Sequence, residues 1–336
     1  MRNIVFIERS SYGFSIEKIF EILKEEFMLS EYVVSSIKTP KKRDNPLSIF
    51  FNICFVIIKS LKYNNRSIFH ITGVLHYLFF ALPRKRTILT IHDCGKYHNS
   101  GGLKKIYAYL FWFKLPVKYF KYIVVISETT KADLVKITKC DPNKIRIIEN
   151  PISPAILKDP KNFNFKNPII LHIGTKKNKN LLRLIQAIEN IKCSLIIVGE
   201  IDGMIIRELK SRKISFKNYC NISDKEMIEL YKKCDILSFV TTFEGFGVPI
   251  LEAQSVGRVV LTSRIEPHYT VASKDGAVFV NPYDVNSIKE GVKSILNNNL
   301  DIQNIISNGF KNSDRFSSKI ISSKYLSLYQ DILDTL

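Results

Sequence analysis

The chain alternates short apolar runs with longer amphipathic stretches. Residues 3–8, Tyr32–Ile37, Ile68–Thr72, Thr87–His92, Tyr122–Ser127 and Ile145–Glu149 read as strands in the first half. Pro168–Ile173, Cys193–Val198, Ile214–Tyr219, Asp235–Val240, Val259–Ser263 and Gly276–Val280 do so in the second. Most are continuous Val/Ile/Leu runs, the signature of strands covered on both faces. Between them lie helical patterns. One is capped by Ser15, with Ile16, Phe20, Leu23 and Phe27 on one face; others cover about 47–62, 285–297 and 316–333. Strand and helix in strict alternation predict an α/β protein with doubly wound parallel sheets. The polar, irregular stretch Leu157–Asn167 reads as a linker. It divides the chain into a domain of residues 1–160 and a domain of residues 161–315, followed by the helical stretch 316–336.

A length of 336 residues suits two domains, and 46% hydrophobic against 24% charged residues suits ordinary cores. No apolar run reaches the length of a membrane span, and the N-terminus lacks the pattern of a signal peptide, so a cytoplasmic protein is expected. Six scattered cysteines form no Cys-x2-Cys pair, which argues against zinc and disulfide frameworks. The formal charge of +19 points to an anionic partner, although a composition rich in Lys, Ile and Asn carries part of it.

The chemistry gathers at strand ends. After Asp235–Val240 comes Phe243-Glu-Gly-Phe-Gly-Val-Pro-Ile-Leu-Glu-Ala-Gln254. Gly245 and Gly247 permit a tight turn and close backbone approach, and Pro249 suits the first position of a helix. The helix start offers unpaired N–H groups to a phosphate. Glu244, in the loop, and Glu252, read as lying in the first helical turn, are separated by seven residues. Glu252 can accept both hydroxyls of a ribose, and Glu244 those of a second sugar beyond the phosphates. A plain glycine turn with two solvated glutamates is the competing reading. The stretch Gly174-Thr-Lys-Lys-Asn-Lys-Asn-Leu181 repeats the plan with a glycine turn, lysines and a helix start, chemistry suited to a diphosphate.

The string around Glu244 and Glu252 resembles the Glu-x7-Glu signature of glycosyltransferase family 4. These are retaining enzymes of the GT-B fold, among them bacterial polysaccharide, O-antigen and capsule glycosyltransferases. The resemblance covers nearly the whole chain. It implies two Rossmann-like domains facing a cleft, with the C-terminal helix crossing back to the N-terminal domain. It also implies transfer of a hexose from a nucleotide diphosphate sugar to a glycan or polyprenyl-diphosphate-linked acceptor. Gly174, Thr175, Lys176, Lys177, Gly245, Phe246, Gly247, Val248 and Glu252 would hold the donor, and Lys179 aligns with the family's diphosphate-binding lysine. Asn178 stands where the family often places an arginine, which leaves Lys176 or Lys177 to substitute. Thr90-Ile-His92-Asp93 matches the N-domain motif whose histidine lies near the transferred sugar. His92, Glu244 and Lys179 are thus the expected catalytic residues, with Gly13 and Asp93 on the acceptor side; for His70 and His76 a structural role competes. No Asp-x-Asp occurs, so neither a metal nor a further cofactor is expected. Residues 103–122 interleave aromatics and lysines, which fits either a core helix or a face on an anionic membrane. A GT-B epimerase or phosphorylase is the enzymatic alternative. A nucleic-acid-binding protein would explain the charge but leave both glutamates unused, so no nucleic-acid partner is expected.

Overall fold

The computed structural model describes residues 2–10, 15–41, 44–297 and 300–336. Gly13 therefore lies outside the described residues. The chain forms two compact units, Met1–Pro151 with Ser318–Leu336, and Ile152–Ser317.

The first unit contains β1 (Arg2–Arg9), α1 (Ser15–Met28), β2 (Tyr32–Thr39), α2 (Pro46–Ser60), β3 (Ile68–Ile71), β4 (Thr87–Ile91), β5 (Tyr122–Val125) and β6 (Ile145–Ile147). The strands form one sheet in the order β2-β1-β3-β4-β5-β6, all pairs parallel. Alternation along β1 shows how both faces are filled. Ile4 and Phe6 join Phe20, Leu23 and Phe27 of α1 on one side, while Val5 and Ile7 join Phe69, Ile71, Trp112 and Phe113 on the other. The terminal helix Ser318–Asp334 closes the α1 side, burying Ile321, Tyr325, Leu328 and Tyr329. At about 1.5–3 kcal/mol per buried aliphatic side chain, Ile321, Leu328 and Ile332 alone anchor it firmly. His70 is part of this packing. It bonds the Tyr329 hydroxyl through Nδ1 and the Thr90 hydroxyl through Nε2, each at 2.7 Å.

The second unit contains β7 (Ile169–Ile173), β8 (Ser194–Val198), β9 (Ser215–Tyr219), β10 (Ile236–Phe239), β11 (Val259–Ser263) and β12 (Val278–Val280). Its parallel sheet runs β12-β11-β10-β7-β8-β9. In both sheets the chain reverses its direction of travel once, between β1 and β3 and between β7 and β10. Beyond the carboxyl ends of those pairs the connections diverge and leave a crevice, the usual ligand position in such sheets.

One expectation changes, and one open alternative is decided. The stretch 157–167 is strapped to the second unit, not free. Asp159 N–H donates to Val256 O at 3.2 Å, Arg258 pairs with Asp159 at 3.0 Å, and Lys161 pairs with the buried Asp235 at 2.9 Å. The first unit accordingly ends at Pro151, ahead of the expected boundary at 160. Residues 103–122 are largely core: Trp112, Phe113, Val117 and Phe120 are buried, and among the large apolar side chains only Leu103, Ile106 and Tyr107 are exposed. Pro116 explains the break in this segment. It has no N–H for the Trp112 carbonyl four residues back, and the local backbone widens into a π-turn over Tyr109–Lys114. His76 Nδ1 donates to that carbonyl instead, at 2.6 Å.

Candidate functional site

The crevice of the second unit is built by the loops after β7 and β10. Two bonds staple these loops together: Thr242 N–H donates to Asn178 O at 2.8 Å, and Asn178 Nδ2 donates to Phe243 O at 3.0 Å. Asn180 fixes the base of the first loop. It sits at φ 66°, a conformation asparagine tolerates better than most residues, and its buried amide donates to Val240 O and Pro282 O at 2.9 and 2.7 Å. The staple brings Lys179 against Glu244, with Nζ 2.7 Å from Oε1 and each side chain about one-fifth exposed. The lysine stem lies across Gly174, where φ is +88° and a Cβ would stand 2.9 Å from Lys179 Cγ. Its ammonium sits 5.0 Å above the Phe239 ring.

Two buried histidines lie near this ammonium. Burial first, and then the charge on Lys179, push His172 down to about 4 and His268 down to about 3. Both are neutral near pH 7, so Lys179 carries the cationic charge there. Lys176 and Lys177 are exposed and make no ion pair among the described residues. Thr175 leans over Gly199, where φ is +129° and a Cβ would meet the threonine methyl at 3.1 Å.

The glycine turn after β10 forms as the sequence suggests, with three changes of detail. Gly247 takes φ 115° and caps the helix Val248–Val256, so Pro249 stands second in the helix, not first. Glu252 consequently falls one position beyond the first turn, where the buried Tyr231 hydroxyl donates to its Oε2 at 2.7 Å. Phe246 is buried against Phe316, at 5.9 Å between ring centres, so its ring packs inward and only its backbone remains for a ligand. A Cβ on Gly247 would meet Ile250 at 3.1 Å and His268 and Phe239 at 3.5 Å, so the turn is packed from below. The amides of Gly247 and Val248 open the helix, where N–H groups lack intrahelical partners.

In the first unit, His92 follows β4. Its Nε2 lies 2.8 Å from the Thr72 carbonyl, which can only accept, so the proton is on Nε2. Nδ1 keeps its lone pair, buried and without a partner among the described residues. Burial lowers the pKa, opposed by the Thr72 bond and the charges of Asp93 and Glu17, and the ring is neutral at pH 7. A cavity of about 50 Å³ adjoins it, lined by Ile16, Gly73, His76, His92, Asp93 and Lys96 among others. Asp93 accepts from Gly95 N–H at 2.7 Å and so shapes the turn after His92. Three side chains were not singled out as site residues from sequence: Tyr231, Asn180 and His268. Tyr231 reads as one more apolar position of its helix, and His268 as an isolated histidine. Asn180 had a local signal, an asparagine directly before an apolar helical run.

A family model described as "Glycosyl transferases group 1" matches residues 155–312, and one described as "Glycosyltransferase Family 4" matches residues 21–156. An O-antigen chain mannosyltransferase of Salmonella typhimurium is 30% identical over 226 residues, 64% of this chain and 62% of the relative. A GDP-mannose:cellobiosyl-diphosphopolyprenol alpha-mannosyltransferase of Komagataeibacter xylinus is 24% identical over 282 residues, 76% of this chain and 67% of the relative. The chain thus spans a little under two thirds of the Salmonella relative's length. Among solved structures, a sucrose-phosphate synthase from Thermosynechococcus elongatus superposes with a TM-score of 0.82 at 16% identity, over 100% of both chains, which supports the fold alone. The two family models meet near residue 155 and together account for residues 21–312, and the chain belongs to glycosyltransferase family 4, on the GT-B fold.

Proposed function

We propose that the protein transfers a hexose from a nucleotide diphosphate sugar to a glycan or polyprenyl-diphosphate-linked acceptor in cell-surface polysaccharide assembly. Mannose, carried by GDP, is the first candidate, because the named activities of both relatives are mannosyl transfers. The observation that carries the reading is the Lys179–Glu244 contact at the crevice between β7 and β10. A cation and a carboxylate there match the two ends of a sugar diphosphate.

Breaking the bond from the anomeric carbon to the diphosphate leaves negative charge on the phosphate oxygen. Lys179, one of Lys176 and Lys177, and the Gly247 and Val248 amides meet that charge. The diphosphate replaces Glu244 as the partner of Lys179, and the freed carboxylate accepts hydroxyls of the sugar. Glu252, oriented by Tyr231, accepts the ribose hydroxyls. Transfer proceeds with retention: the acceptor oxygen bonds the anomeric carbon from the face the phosphate leaves, and its proton passes to the departing phosphate. His92 offers Nδ1 to a hydroxyl on the acceptor side. No metal or further cofactor takes part. The protein works at the inner face of the plasma membrane as a peripheral protein.

A panel of nucleotide sugars tests this. The correct donor should raise the melting point, since it binds the native state. Labelled sugar should pass to a diphosphate-linked glycan with its anomeric configuration kept, and a chelator should leave the rate unchanged. Glu244→Ala and Lys179→Ala should each abolish most transfer without unfolding the chain. Free epimerised sugar, sugar phosphate, or normal turnover in both variants would reject the assignment.

A further inference from the structure

Helix α2 is apolar on both sides. Its inner side, with Ile49, Asn52 and Val56, is buried. Its outer side carries Leu47, Phe50, Phe51, Ile58 and Leu61, which are 67%, 61%, 47%, 68% and 78% exposed. Their spacing of three, four and seven residues puts them on one stripe along the helix. A helix apolar all round belongs in a core or in lipid, and soluble proteins seldom leave so long a stripe in water.

Charge decides what covers it. Residues 39–121 contain fifteen Lys and Arg against two acids, Asp44 and Asp93. Asp44 is already paired with Lys96 at 2.9 Å and with Arg9, and Asp93 accepts from Gly95 N–H. Lysines border the stripe and fold onto its aromatics. Lys41 lies 5.7 Å above Phe51, Lys59 5.6 Å above Phe55, and Lys62 5.0 Å above Tyr63. A second copy of this chain would bring these cations against their own kind. A bilayer with anionic headgroups supplies both an apolar layer and negative charge.

We propose that the outer face of α2 lies in the interface of an anionic bilayer. Leu47, Phe50, Phe51, Ile58 and Leu61 enter the acyl-chain boundary, while Lys41, Lys59 and Lys62 meet lipid phosphates. The stripe begins beside the site of the first unit. Asn45, which caps α2, follows Asp44, and Asp44 reaches both the end of β1 through Arg9 and the His92 cavity through Lys96. Docking would therefore bring that edge to the membrane surface. This use of the surface rests on the reading of a lipid-linked acceptor; the docking itself does not.

The test is flotation of the full chain with vesicles of equal parts phosphatidylglycerol and phosphatidylethanolamine, and with pure phosphatidylcholine. The chain should float with the first and at most weakly with the second. Phe50→Ser with Ile58→Ser should weaken binding at least about tenfold per residue. Lys59→Gln with Lys62→Gln should weaken it about fivefold per residue, an effect that salt erases. Both pairs are on the surface, so their melting points should match the wild type. Three results would overturn the proposal: no flotation of the wild type, equal flotation of both double variants, or a dimer that the Phe50/Ile58 variant dissociates while vesicle binding stays unchanged. Donor binding and transfer to a short soluble acceptor are measured on the same preparations. Lost docking with intact transfer removes this surface alone, whereas intact docking without transfer removes the reading of the site.

Discussion

Replacing Gly174 with alanine should displace Lys179 without altering the lysine chemically. The added Cβ would stand 2.9 Å from Lys179 Cγ, 3.0 Å from Cε and 3.2 Å from Cδ. Carbon atoms rest comfortably at about 3.5–4.0 Å, so the stem must retreat by roughly 0.6–1 Å. The stem is flexible, so the contact itself relaxes at little energetic cost. Backbone strain at φ +88° adds about 1–2 kcal/mol for a residue with a Cβ. In a unit of this size that is a melting-point loss of roughly 2–8 °C. A misplacement of about 1 Å at a reacting centre costs about a hundredfold in rate. The assay is a double-mutant cycle of Gly174→Ala and Lys179→Ala, read by initial transfer rate and by thermal unfolding. Lys179→Ala alone should lower the rate about 10²–10³-fold, in the range of a lost charge-stabilising donor. Adding Gly174→Ala to it should change the melting point but not the rate, because the stem it displaces is gone. Rate losses that multiply would mean that Gly174 acts through something other than Lys179, and an unimpaired Gly174→Ala enzyme would reject the geometry.

Tyr231→Phe removes the hydroxyl that orients Glu252 and should weaken nucleoside diphosphate binding by roughly tenfold, about 1.5 kcal/mol, in calorimetry; unchanged affinity would dissociate Glu252 from the ribose. His92→Gln can keep the bond to Thr72, since the glutamine nitrogen reaches near the Nε2 position, but it loses Nδ1. Transfer should fall about 10²-fold or more with donor binding intact, and wild-type turnover would show that His92 acts only through Thr72. His70 and His268, held at about 3, and His76 and His172, held at about 4, stay neutral when folded but titrate near 6.5 when unfolded. Their folded pKa values are depressed, so stability is full above 6.5 and falls as pH drops toward 4, by up to about 1.4 kcal/mol per pH unit for each. Urea unfolding with no acid dependence in that window would contradict their burial.

The sheets were legible because their strands are continuous apolar runs and their turns carry glycine. Ile170, Leu195, Leu237 and Val260 could only be core, and the structure buries them fully. The contact between Lys179 and Glu244 was not legible, since it depends on β7 and β10 lying side by side, a non-local pairing that no local pattern encodes. Neither was Tyr231, whose ring obeys the apolar period of its helix while its hydroxyl serves Glu252. The segment 103–122 stayed open between core and membrane face for the opposite reason. Its lysines suggested a surface, yet Trp112 and Phe120 turn inward, and the exposed apolar stripe belongs to α2, whose outer positions repeat at the same spacing as its inner ones.

The two crevices share a topology and differ in the polar groups at their centres, and the difference follows from what each would hold. A sheet's switch point supplies room and little else. In the second unit the loops fill that room with a cation and a carboxylate that neutralise each other, sparing either the cost of standing alone while partly buried. Only a ligand that offers Lys179 a better anion, and Glu244 a set of hydroxyls, can separate them. A nucleoside offers neither at the right end, so it should bind without opening the pair, whereas a diphosphate opens it. In the first unit the room beside His92 adjoins a neutral ring whose Nδ1 has no partner among the described residues. That arrangement favours an uncharged hydroxyl, which needs an acceptor and not a counter-ion. On the proposed reading, the division between a charged donor and a neutral attacking group rests on the side chains that the loops of each unit supply, not on the fold that both units share.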